Sequence, residues 1–282
     1  SGRAMSGFYW IASYPKSGNT WLRLFLQSLA RGGGPVDFGA PLDRVSHGAI
    51  RNEFERVLEL ESGDLTDDEI ARARPRQYEV EAAEATAPLL RKVHDRWGVT
   101  SEGRPLFPPA VTLGAVYLVR DPRDVAVSFA HHNNRSVDWA VAAMADPGHR
   151  LDHGRRRLPR QLPQHLGTWS GHVESWLDAP ELRRLVIRYE DLCIDAEGLF
   201  TIAAGFLGLR DEAAAIASAT GAVRFETLRA QEDVQGFSER PLLADRFFRR
   251  GVAGSWRDSL TPAQAARIEA DHGRVMRRLG YL

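Results

Sequence analysis

The feature that most constrains this chain is a repeated unit in which a short apolar strand runs through a loop into a helix. Phe8-Tyr9-Trp10-Ile11-Ala12-Ser13 is an aromatic and β-branched run, the composition of a buried strand, and it leads into Pro15 and Gly18. Trp21, Leu22, Phe25, Leu26 and Leu29 then recur at helical spacing, and Gly32-Gly33-Gly34-Pro35 stops the helix. Ala115-Val116-Tyr117-Leu118-Val119 repeats the form, with Asp121-Pro122 breaking the strand and Asp124 beginning a helical run through Phe129. Arg184-Leu185-Val186-Ile187-Arg188-Tyr189 is a third strand. Three apolar strands separated by helices predict the α/β class: a three-layer, mainly parallel sheet with helices on both faces. Ligands of such sheets sit at the carboxyl ends of the strands, which puts the chemistry just after Ser13, Val119 and Ile187.

A loop between a buried strand and a helix N-terminus presents unpaired N–H groups and the positive end of the helix dipole, so it is an anion site in waiting. Here Pro15 fixes the entry, Gly18 lets backbone approach a ligand closely, and Lys16, Ser17, Asn19 and Thr20 supply donors. The order differs from the Walker A pattern, whose lysine follows its second glycine, because Lys16 precedes Gly18. A nucleotide triphosphatase is disfavoured.

The 282 residues, 43% of them hydrophobic, suffice for one large core, and residues 5–282 read as one domain. Ser1-Gly2-Arg3-Ala4 before Met5 reads as a cloning remnant. Thirty-seven basic residues balance thirty-seven acidic ones, which gives no sign of a nucleic-acid or membrane-surface partner. The lone Cys193 allows neither an internal disulfide nor a cysteine-rich metal site, no apolar run is long enough for a membrane span, and a cytoplasmic protein is expected. Only two of the basic residues are lysine, Lys16 and Lys92; the rest are arginine. A guanidinium fork cannot replace a compact ammonium everywhere, so these two positions are candidates for sites that require lysine. Residues 41–109 are helix-rich, with Thr66-Asp67-Asp68-Glu69 as an N-cap and acidic first turn, and read as the wall of an acceptor site. Residues 146–163, carrying Arg155-Arg156-Arg157, read as a solvated loop, with a lid as the alternative.

Tyr14-Pro15-Lys16-Ser17-Gly18-Asn19-Thr20-Trp21 closely resembles the 5′-phosphosulfate loop of the PAPS-dependent sulfotransferases, usually written YPKSGTTW, with Asn19 the one departure. Arg120 and Ser128, eight residues apart, match the family's 3′-phosphate signature, and Arg249-Arg250-Gly251-Val252-Ala253-Gly254-Ser255-Trp256 is similar to its RKGxxGxW. The resemblance implies a sheet of the P-loop kinase-like type. It also implies that PAPS is the donor and PAP the product, bound by Lys16, Ser17, Gly18, Asn19, Thr20, Trp21, Arg120, Ser128, Tyr189, Phe225, Arg249, Arg250 and Gly251. Tyr189 lies in a segment matching the family's YED, and Trp21 and Phe225 are expected to flank the adenine.

Sulfuryl transfer needs a positioned nucleophile, a base for its proton and positive charge on the leaving oxygen, and cations can do that last job without a metal. Leu90-Arg91-Lys92-Val93-His94 matches the family's K-T-H segment, with Val93 in place of threonine, and this selects His94 as general base among nine histidines. Lys16, Lys92 and Ser128 complete the expected catalytic set. The acceptor is expected to be a small molecule bearing a hydroxyl or amine, and whether His131 or His132 lines its pocket stays open. The family's KxxxTVxxxE dimer segment is degraded at residues 257–266, where Thr261-Pro262-Ala263-Gln264 reads instead as a helix start. Two alternatives remain: a small-molecule kinase, which calls for a Walker lysine and a Mg²⁺-binding carboxylate, and a non-catalytic nucleotide-binding module, which calls for a lost base.

Overall fold

The first strand, β1 (Phe8–Ser13), buries both of its faces, and that sets the architecture. Phe8, Trp10 and Ala12 enter one hydrophobic cluster and Ile11 enters another. In the strand beside it, β4 (Thr112–Val119), Ala115, Tyr117 and Val119 join the first cluster while Val116 and Leu118 join the second. A sheet apolar on both faces must be covered on both. The structure, a computed structural model, describes residues 6–39, 45–152, 159–209, 212–237, 239–240, 247–248 and 251–282.

Between those strands lie α1 (Asn19–Leu29), β2 (Val45–His47), α2 (Arg51–Leu58), α3 (Asp67–Glu84) and β3 (Leu89–Val93). After β4 come α4 (Pro122–His132), α5 (Val137–Ala145), β5 (Arg150–Leu151), β6 (Gln164–His165), α6 (Trp169–Leu177) and β7 (Arg184–Arg188). The chain then turns helical: α7 (Tyr189–Ile194), α8 (Ala196–Phe206), α9 (Ala213–Ala222), α10 (Phe225–Gln235) and α11 (Pro262–Arg278). Helices α3, α4, α5, α6 and α11 cover one face of the sheet; α1, α8, α9 and α10 cover the other. No helix of the described residues is long and apolar enough to cross a membrane.

The central sheet has five parallel strands in the order β2-β3-β1-β4-β7, so the α/β expectation holds and its three strands prove to be five. The two extra strands fall in the segment read as helix-rich. Register decides where the site lies. Ala12 pairs with both Val93 and Tyr117, and Val119 pairs with Arg188, so β1, β3, β4 and β7 end near one another. Tyr14, His94, Arg120 and Tyr189 are the residues that follow those ends. The chain leaves β1 toward β2 on one side and β4 toward β7 on the other, which opens a crevice outside the carboxyl ends.

Both expected helix starts form. Thr66 and Thr261 each close a capping box, with Glu69 and Gln264 respectively.

Candidate active site

The loop from β1 to α1 is shaped by two residues in the left-handed region, Lys16 (φ 70°) and Gly18 (φ 99°). A Cβ at Gly18 would lie 2.9 Å from the Tyr189 ring, so glycine is required both by conformation and by space. Gly18 caps α1 with no side chain, while its carbonyl accepts from the Trp21 and Leu22 amides. The first amides of α1 are therefore available to a ligand. Ser17 is fully buried, and its hydroxyl has no hydrogen-bond partner among the described residues. Asn19 differs from expectation: its side-chain amide donates to Ile11 O (3.0 Å) and Ser13 Oγ (3.3 Å). Those two contacts occupy the side-chain donors and brace the loop against β1.

The second wall starts at α4. Asp121 caps that helix by accepting from the Arg123 amide at 2.9 Å. The Arg120 guanidinium lies 4.3 Å from the centre of the Tyr189 ring, and its Nε is buried without a partner among the described residues. Asp124, whose side chain is fully buried, accepts from the Gly254 amide (2.6 Å), the Trp256 amide (2.8 Å) and Ser255 Oγ (3.2 Å). One carboxylate thus ties the segment after Gly251 to α4. Gly251 (φ 64°) presses on Phe225, where a Cβ would come 2.1 Å from the ring. Trp21 meets Tyr189 edge to face at 6.0 Å and anchors its indole N–H on Val223 O at 2.8 Å. Arg249, Arg250 and Arg155-Arg156-Arg157 lie outside the described residues.

These walls enclose a cavity of about 1000 Å³. Lys16, Gly18, Asn19, Thr20, Trp21, Lys92, His94, Arg120, Ser128, Tyr189, Phe225 and Gly251 all line it, as do both His131 and His132. The two lysines of the sequence thus reach one cavity, Lys16 from the loop after β1 and Lys92 from β3. Burial, followed by the charges of Lys92 and Arg120, brings the Lys16 ammonium down to about 8, and burial and then Arg23 bring Lys92 down to about 8. Lys16 Nζ sits 3.4 Å from His132 Nδ1. Burial and then the two lysine charges push His132 down to about 4.

His94 Nδ1 lies 2.8 Å from the Ser13 carbonyl oxygen. A carbonyl only accepts, so the proton is on Nδ1 and Nε2 carries the free lone pair. Burial and then the Lys92 charge hold the ring well below the usual imidazole range, which keeps it neutral. His47, Arg23 and Glu239 also line the cavity and were not singled out from the sequence. Nothing local marks them: Glu239 meets Arg23 at 2.6 Å across 216 positions of chain.

A family model described as sulfotransferase domain matches residues 8–280, nearly the whole chain. This protein is a member of the sulfotransferase domain family. As a sulfotransferase it is a transferase enzyme, and it resembles curated members of the family at modest identity. Human Sulfotransferase 2B1 is 29% identical over 167 residues, 57% of this chain and 44% of that protein, so the match spans less than half of the relative's length. Cytosolic sulfotransferase 16 of Arabidopsis thaliana is 26% identical over 275 residues, 92% of this chain and 73% of that protein. Among solved structures, mouse sulfotransferase SULT7A1 complexed with PAP superposes with a TM-score of 0.58 at 20% identity, covering 96% of this chain and 85% of the other. Retinol dehydratase in a complex with retinol and PAP gives 0.60 at 21%, covering 95% and 81%. These structural likenesses speak for the fold.

Proposed function

We propose that this sulfotransferase moves the sulfuryl group of PAPS to a hydroxyl of a small-molecule acceptor by in-line displacement, with His94 as general base, and releases PAP. The observation that carries this reading is the His94 ring: a neutral imidazole with its lone pair on Nε2, in the cavity that also holds Lys16 and Lys92. His94 takes the acceptor's hydroxyl proton at Nε2 as the acceptor oxygen bonds to sulfur. Lys16 neutralises the charge that grows on the bridging oxygen as the sulfur–oxygen bond to PAP breaks. Lys92 assists from the same wall by favouring the neutral form of His94.

The residues present suit a doubly phosphorylated donor. The loop at Lys16–Thr20 and the pair Arg120 and Ser128 form two separate polar grips, each with a buried donor lacking a partner among the described residues, Ser17 Oγ and Arg120 Nε. Trp21, Tyr189 and Phe225 offer aromatic faces or edges for the adenine. Bound there, PAPS supplies an activated sulfuryl group. We read residues 5–282 as a single catalytic domain working in the cytoplasm, in keeping with relatives named as cytosolic. An amine is the alternative nucleophile. Thermal shift tests the donor assignment: PAP should raise the melting temperature without Mg²⁺, while ATP should do little. Stabilisation by Mg²⁺-ATP with no response to PAP would favour a kinase and overturn the reading.

A further inference from the structure

Arg23 stands on α1 three positions after Thr20, on the same face of the helix. Its side chain is 6% exposed. Nη2 lies 2.6 Å from Glu239 Oε1, but Nε and Nη1 have no hydrogen-bond partner among the described residues. The other oxygen of the same carboxylate, Oε2, accepts from Thr20 Oγ1 at 3.2 Å. One carboxylate therefore bridges the start of the helix that follows the anion loop and a half-satisfied buried guanidinium. Its charge also acts on Lys16 and Lys92. Burial opposes its ionisation, yet Lys92 and Arg23 hold Glu239 down to about 2.

Another buried arginine, Arg123, is bonded more completely. Arg123 uses all three nitrogens, on Asp121, Glu269 and the Tyr281 carbonyl. Arg23 has buried donors left over, and it lines the cavity together with the carboxylate that holds it. Two carboxylate oxygens cannot satisfy Thr20 and the whole guanidinium fork together, whereas a phosphosulfate has oxygens enough to do both.

We infer that Arg23 is a further ligand of the donor's phosphosulfate end, and that the Glu239 carboxylate holds that place until the donor displaces it. The inference rests on the PAPS reading given above. Displacement follows from charge: the donor's phosphosulfate and the carboxylate are both anions facing the same cations, so they compete for them.

Calorimetry with PAPS and PAP on the wild type, Glu239→Gln and Arg23→Met tests it. Glu239→Gln should tighten PAPS roughly tenfold, and Arg23→Met should weaken it by a comparable factor or more. In the double variant the gain from Glu239→Gln should vanish, because its benefit passes through Arg23. Arg23→Lys, which keeps the charge but loses the fork, should fall between and serves if Arg23→Met does not fold. If PAP tightens as PAPS does, the contact is to the 5′-phosphate; if PAPS alone tightens, it is to the sulfuryl group. Unchanged or weaker PAPS binding in a folded Glu239→Gln variant overturns the inference while leaving the function standing. A wild type that binds neither PAPS nor PAP overturns both.

Discussion

The Nδ1 of His94 lies 2.8 Å from the carbonyl oxygen of Ser13, the last residue of β1, and this contact decides which end of the ring can accept a proton. Pairing of Ala12 with Val93 brings the two strand ends together, so the tautomer is set by sheet register. His94→Ala should lower kcat about 10²- to 10⁴-fold while calorimetry finds PAP affinity unchanged. Turnover near the wild-type rate would remove His94 from the mechanism.

Lys16 takes a left-handed backbone that aims its ammonium into the cavity. Lys16→Arg preserves the positive charge but presents a planar fork in place of a compact ammonium, so kcat should fall roughly 10²-fold with PAP affinity altered only a few-fold. A variant with near wild-type kcat would show that any cation serves there.

The sign of the pH dependence follows from the direction of each shift. His94 is held well below its usual 6.5, so the base form persists as the pH falls through that value and no acid limb should appear there. Lys16 and Lys92 are brought down to about 8, so kcat/KM, which reports the free enzyme, should fall as the pH rises through about 8. The limb in kcat should lie higher, because bound donor favours the ammonium forms. An acid limb centred near the ordinary histidine value would contradict the assignment.

Asp124 ties Gly254, Ser255 and Trp256 to α4. Asp124→Ala leaves those donors without their acceptor, which should lower stability by about 1–3 kcal/mol and weaken PAP by roughly tenfold as Gly251 loses its seat against Phe225. Unfolding curves and PAP titration check both. An unchanged PAP affinity would show that the tie is structural only.

Several parts of this arrangement were legible in the sequence because they are local. The apolar strands β1, β4 and β7, the loop at Lys16–Gly18 and the capping boxes at Thr66 and Thr261 each declare themselves within a few residues. Strand β3 escaped because only Leu90 and Val93 of its five residues are buried, while Arg91 pairs with Glu81 and Lys92 lines the cavity. Strand β2 has three residues and exists through its pairing with Leu90–Lys92. The side-chain role of Asn19 was misjudged because the acceptors of its amide, Ile11 O and Ser13 Oγ, are set by how the loop folds back on β1. Arg23, Glu239 and His47 carried no signal, since their meaning comes from contacts across the fold. The scarcity of lysine was informative: both lysines line the same cavity.

Mass spectrometry of acceptor mixtures incubated with PAPS, run beside a His94→Ala control, tests sulfuryl transfer most directly. The wild type should yield PAP together with an acceptor heavier by one sulfuryl group, and the control should yield neither. Release of PAP with only free sulfate beside it, or equal product from His94→Ala, would contradict transfer by the mechanism proposed.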